Sequence, residues 1–182
     1  MILSDVDVKR MVANGSDIVE PFDPAMCQPA SYDLTLAASI WVPDQGWMGV
    51  IDFADPPSTD DTGNRRVIED SWVIEPGGFI LGSTAEKVHV PGSMSGVLEG
   101  KSSLGRSGLV VHATAGFIDP GFNGCLTLEL ANIGKLPVRI RPGMKIAQVM
   151  FMKMYSMPSG KYGDAKFGSH YQDQGDRPVT TR

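Results

Sequence analysis

The sequence predicts a mainly β protein, a barrel or sandwich of short strands with one short helix at its start. Turn signals recur at Glu75-Pro76-Gly77-Gly78, Pro91-Gly92 and Arg141-Pro142-Gly143, with strand-like apolar runs between them. The 21 glycines and 13 prolines are scattered through the chain, which favours many turns over a helix bundle. Only the start has a helical period. Ser4 can cap, Asp5 and Asp7 fall in the first turn, Val8, Met11 and Val12 form a stripe, and Gly15 supplies a stop. With 182 residues, 42% apolar and 20% charged, the chain suits one domain over 1–182 that buries roughly two thirds of its unfolded surface.

Beyond the helix, Pro21, Pro24 and Pro29 punctuate a stretch leading to Ser31-Tyr32-Asp33-Leu34-Thr35-Leu36, which alternates as a strand does. Residues 43–71 are polar and rich in Asp, Gly and Pro, with a weak apolar signal at Val50-Ile51. They read as a long excursion or a hairpin. Strand and turn then alternate steadily from Trp72. After Met157 the apolar density collapses, and glycines stand at 160, 163, 168 and 175. The segment 158–182 reads either as a frayed terminus or as a flexible C-terminal lid that closes over a ligand.

Charge and cysteine usage remove several function classes. A net charge of −5 argues against a broad nucleic-acid-binding face, while leaving room for a small anion held by Lys101 and Arg106. Cys27 and Cys125 lie far apart without a CxxC, and His89, His112 and His170 are too scattered for a zinc ligand set. No protein-held metal, and no zinc in particular, is therefore expected. The N-terminus is charged within five residues and no apolar run reaches membrane-spanning length, so the expectation is a cytoplasmic protein with reduced thiols and no membrane partner.

Residues 99–132 break the local rules. They place hydroxyls, an arginine, a histidine and carboxylates around glycine turns inside a run that otherwise reads as sheet core. In Cys125–Ala131, period-two alternation puts Leu126, Leu128 and Leu130 on one face and Thr127 and Glu129 on the other. Cys125 and Ala131 share the side of Glu129, an odd composition for an open surface, so Glu129 is expected to be half-buried and functional. Lys101 to Gly108 has the small residues and cations of an anion-binding turn, although a solvated loop or a capped short helix would look the same. Residues 117–124 form a plain turn except for Asp119. His112 reads as a core histidine with satisfied partners.

The ordered set GKSSLGR, TAGFIDPGF, LTLEL and LPVRIRPGMKIAQ resembles the dCTP deaminase family of the dUTPase superfamily, closest to its bifunctional dCTP deaminase–dUTPase members. The similarity extends from ILSD through QPASYDL and PGGFILGST to the tail Tyr-Gln-x-Gln-Gly, and leaves out residues 43–71. It implies a homotrimer of distorted, dUTPase-like β-barrels with sites at subunit interfaces. On matching positions Glu129 is the general base and acid. Ser102 and Arg106 hold and polarise the water and base, the Ala115 carbonyl lies near the leaving group, and Asp119 lies near the sugar. The resemblance also brings Lys101, Ser103, Leu104, Gly105, Thr127 and Leu128 to the nucleotide. Gln148, Tyr162 and Gln174 approach its triphosphate as the tail closes, and Mg²⁺ accompanies the phosphates. A catalytic carboxylate that both takes and gives a proton fits a half-buried site.

The implied reaction takes dCTP through dUTP to dUMP, ammonia and diphosphate, with dTTP as an inhibitor of such enzymes. Gly116 and Phe117 match the bifunctional pattern, a small residue there leaving room for water at the α-phosphate. The alternatives are a monofunctional deaminase that releases dUTP, a plain dUTPase, and a catalytically dead nucleotide sensor. Joint presence of Ser102, Arg106, Asp119 and Glu129 argues against the last. One departure stands out: His170 occupies a tail position where family members usually place lysine, which weakens a phosphate contact or makes it pH-dependent.

Overall fold

The computed structural model describes residues 1–178 and 180. The elements in chain order begin with helix α1 (Asp5–Ala13) and strands β1 (Val19–Glu20), β2 (Cys27–Gln28), β3 (Ser31–Thr35) and β4 (Ser39–Pro43). Helix α2 (Thr59–Thr62) precedes β5 (Gly63–Val67), β6 (Trp72–Ile74), β7 (Phe79–His89) and β8 (Met94–Gly100). Helix α3 (Ser102–Gly105) is followed by β9 (Leu109–Val110), β10 (Phe117–Ile118), β11 (Asn123–Asn132), β12 (Val138–Ile140) and β13 (Lys145–Lys153).

One sheet has the order β5-β4-β7-β11-β9, with β1 also on β7; a second has the order β10-β8-β13-β3-β2; β12 and β6 form a ribbon. Their inner faces meet in a core that includes Tyr32, Leu34, Ile40, Leu128, Leu130, Ile146, Val149 and Phe151. Each such side chain contributes on the order of 1.5–3 kcal/mol by leaving water. The mainly β expectation is met, and the sheets are stitched at one seam. There Leu36 bridges Thr84, and the buried Glu86 accepts from the Thr35 N–H at 2.8 Å and the Thr35 hydroxyl at 2.7 Å. Both oxygens of a carboxylate that would be costly to bury alone are thereby satisfied.

The helix forms as its sequence dictates. Ser4 and Asp7 make a reciprocal capping box, Val8 is buried, and Met11 and Val12 pack against the core. Chain pairing of Ile2 with Met152, and the Leu3 N–H to Phe151 carbonyl bond of 2.9 Å, pin the helix to the end of β13.

Residues 43–71 turn out to combine both readings. Trp41 lies opposite Arg65 in the β4–β5 hairpin, and the loop between these strands carries exposed Met48, Val50, Ile51 and Phe53. Strand β3 also departs from simple alternation, because Tyr32, Asp33 and Leu34 are all buried. Both faces of that strand are covered.

Candidate active site

A register slip between β7 and β11 builds the site's floor. From Cys125↔Lys87 to Thr127↔Ser83, β7 advances four residues while β11 advances two. The extra turn lets the Thr84 hydroxyl accept the Leu126 N–H at 2.9 Å and frees Glu86 to cross to β3. Such bulges re-aim side chains beside functional sites. Beyond the slip, alternation runs as expected. Leu128 and Leu130 are fully buried in the core, and Thr127 and Glu129 are half-buried on the opposite face.

Glu129 is held by the segment that leaves β9 and crosses in front of β11. The N–H groups of Ala113 and Thr114 both donate to its Oε2 at 2.9 Å, and the Thr114 hydroxyl lies 3.5 Å from Oε1. The next residue, Ala115, has φ 56°, a left-handed conformation that costs about 1–2 kcal/mol outside glycine. The chain bends sharply there to bring two adjacent amides onto one oxygen. Glu129 lines a cavity of about 360 Å³, a ligand-sized space.

That cavity gathers many of the expected residues. Ala115, Phe117, Asp119, Thr127, Glu129, Tyr162 and Gln174 all line it. The tail closes one side. Gln174 pairs with Gly124, its carbonyl accepts the Cys125 N–H at 2.8 Å, and its side-chain amide donates to the Thr127 hydroxyl at 2.6 Å. The Tyr171 N–H donates to the Tyr162 hydroxyl at 3.0 Å, and Gln172 donates to the Gly121 carbonyl at 3.1 Å. The frayed-terminus reading therefore fails for the described tail, which lies docked along β11. Of the span 158–182, positions 179, 181 and 182 lie outside the described residues.

Other expected residues stand apart from this cavity. Ser102, Ser103, Leu104 and Gly105 form α3 just past the end of β8, with Lys101 before it and Arg106 after it. This short helix has no side-chain cap, and the Leu104 and Gly105 N–H groups donate to the Lys101 carbonyl. Gln148 sits on β13 opposite Asp33 and accepts from the Ser31 hydroxyl at 3.2 Å. Leu128, with its side chain in the core, has only its main chain to offer a ligand.

One expectation needs correction, and one glycine has a structural reason. His112 is no satisfied core histidine: it lines the cavity, and both ring nitrogens are buried without a hydrogen-bond partner among the described residues. Gly116 lies close against β8. A Cβ there would come within 2.8 Å of the Leu98 carbonyl oxygen, and the Gly116 carbonyl accepts the Leu98 N–H at 2.7 Å. The glycine allows close approach of main chain to β8, so any side chain would displace the strand entry.

Sequence reasoning missed Leu98, Cys125 and Tyr171 as lining residues. Cys125 carried the nearest signal, through its place on the face of Glu129. Burial pushes its thiol up to about 11. His170 lies in a neighbouring cavity with Lys161 and Asp119, its ring edge-on to Tyr171 at 6.1 Å. Among the described residues no group of three or more His, Cys, Asp or Glu is placed to hold a metal ion.

Fold and site define a two-sheet β protein with a strand-borne carboxylate beside a cavity that residues of its own tail also line. Residues 2–154 match the dCTP deaminase-like family, and the chain belongs to that family. It is 44% identical over 178 residues, 96% of this chain and 91% of the relative, to a protein from Nocardioides sp. named dCTP deaminase, dUMP-forming. A Streptomyces coelicolor protein of the same name is 43% identical over the same shares of both chains. The crystal structure of 2'-deoxycytidine 5'-triphosphate deaminase from Agrobacterium tumefaciens superimposes with a TM-score of 0.67 at 24% identity, over 84% of this chain and 48% of that one. The chain thus spans about half the length of that protein, whose likeness bears on the fold.

Proposed function

We propose that this protein is a dUMP-forming dCTP deaminase that carries out two hydrolytic steps at one site. The observation that carries this is Glu129, with Oε2 fixed by two main-chain N–H groups and the residue on the wall of the cavity. Relatives named dCTP deaminase, dUMP-forming, at 41–44% identity over most of the chain support it. In the first step Glu129 takes a proton from water as the oxygen adds to cytosine C4. It then passes that proton to the exocyclic nitrogen, which departs as ammonia and leaves dUTP. In the second, water attacks the α-phosphorus, giving dUMP and diphosphate.

Asp119 and Thr127, on the cavity wall, are suited to sugar and base. Ala115 lines the same wall, within the sharp turn, and its carbonyl is assigned to the leaving amine by the family resemblance. Ser102 and Arg106 belong to the same chemistry but stand outside this chain's cavity. A neighbouring copy supplies them, and the assembly is a homotrimer with shared sites. Mg²⁺ travels with the triphosphate, its hard-oxygen preference met by phosphate and water, and neutralises phosphate charge. No helix among the described residues is long and apolar enough to cross a membrane.

The test is incubation with dCTP and Mg²⁺ with chromatographic resolution of dUTP from dUMP. dUMP and diphosphate are expected with little free dUTP. Accumulation of dUTP as the end product would assign the monofunctional reaction instead. Protein stripped with a strong chelator and returned to Mg²⁺ alone should regain full turnover. A need for added zinc would overturn the carboxylate mechanism.

A further inference from the structure

Strand β3 carries an aspartate in the middle of its covered stretch. Asp33 has a side chain only 2% exposed, yet two lysines reach it. Lys101 donates to Oδ1, and Lys145 pairs with Oδ2 at 3.1 Å, where Gln28 also donates at 3.1 Å. One ammonium would balance one carboxylate. Two ammonium groups thus share one carboxylate, and the lysine side chains stay 23% and 47% exposed. Gln148 is the direct cross-strand neighbour of Asp33, so the cluster adjoins a residue expected at the triphosphate.

We propose that Asp33 is a positioning residue that anchors Lys101 and Lys145, and that Lys145 is a further residue binding the phosphate chain of the nucleotide. This rests on the nucleotide reading above. An ammonium has three donors, and a buried carboxylate takes up only part of them. The anchored lysine stem loses little further freedom on binding, and its half-exposed ammonium keeps donors for an anion. A carboxylate serving only to staple β3 to β13 would need one lysine. The second, half-exposed one is the feature that a staple leaves unexplained.

The test uses the full-length protein. Lys145→Met keeps the stem and removes the charge, and Lys145→Arg restores it. Three readouts are taken: kcat and KM for dCTP, calorimetric binding of inorganic tripolyphosphate, and the thermal midpoint. Loss of a charge-assisted contact should raise KM about tenfold and weaken tripolyphosphate in parallel, with kcat within about twofold. Arginine should recover most of both. Asp33→Asn should raise KM in the same sense. A Lys145→Met protein with unchanged KM and unchanged tripolyphosphate affinity would overturn the inference, most plainly if its midpoint falls. Wild-type protein that binds tripolyphosphate, loses that binding in Lys145→Met and turns over no dCTP would support the cradle while sinking the deaminase reading.

Discussion

At the scale of single residues, the proposed mechanism turns on Glu129. Glu129→Gln keeps the shape and one hydrogen-bond acceptor but cannot cycle a proton. Deamination should fall by about 10²–10⁴-fold, with dCTP affinity changed little. Product release and equilibrium binding measured on the same variant check both halves, and near-normal turnover would sink the mechanism. Cys125 gives a second, independent check. Its thiol is pushed up to about 11 chiefly by burial, and the thiolate is the reactive form. Iodoacetamide at pH 8 should therefore label it slowly in the folded protein and quickly once unfolded. The linkage sign follows: the folded state keeps a proton that the unfolded state loses, so this group lowers stability as pH rises from about 9 toward 11. A denaturation midpoint that climbs over that window would contradict it. Legibility in the sequence was high for Glu129, because alternation among three leucines fixes its face without any long-range information. It was low for His112 and Gly116. The first depends on which groups lie opposite, the second on a carbonyl of β8 some eighteen residues away in sequence.

At the scale of elements, the capped helix and the turn-bounded strands followed from local patterns, since caps, turns and period-two alternation are short-range effects. The register slip of β7 against β11 did not, because no single strand encodes a relation between two. The tail shows the same limit. Its glycines and sparse apolar residues left a frayed end and a closing lid both open, while its anchorage is polar: main-chain pairing at Gly124 and side-chain bonds from Gln172 and Gln174. Few apolar contacts hold such a segment, which places it among the elements that open at low cost. Removal of residues 158–182 should leave the sheets folded, raise KM for dCTP and lower kcat. The first part is read by circular dichroism, the second by steady-state kinetics. A truncated protein with wild-type kinetics would remove the lid from the mechanism.

At the scale of the whole molecule, the decisive fact is that the residues implicated by one resemblance fall in two places on one chain. Glu129, Asp119, Thr127, Tyr162 and Gln174 share a cavity, while Ser102 and Arg106 stand on and beside α3, outside it. Sequence order cannot show this, because residues 101–106 and 127–129 both fall within the one stretch 99–132. An assembly in which a second copy brings its α3 to the first copy's cavity joins the two halves, and cyclic symmetry then makes every site alike. The consequence is testable by complementation. Glu129→Gln lacks the proton-cycling group and Arg106→Ala lacks the cation, so each variant alone should be inactive. Mixed by co-refolding in equal amounts, random assembly places an intact Glu129 from one copy against an intact Arg106 from another at about a quarter of the sites. Recovered activity should approach that fraction of the wild-type value. If the site is built within one chain, every site in the mixture carries one defect, and the mixture stays as inactive as its components.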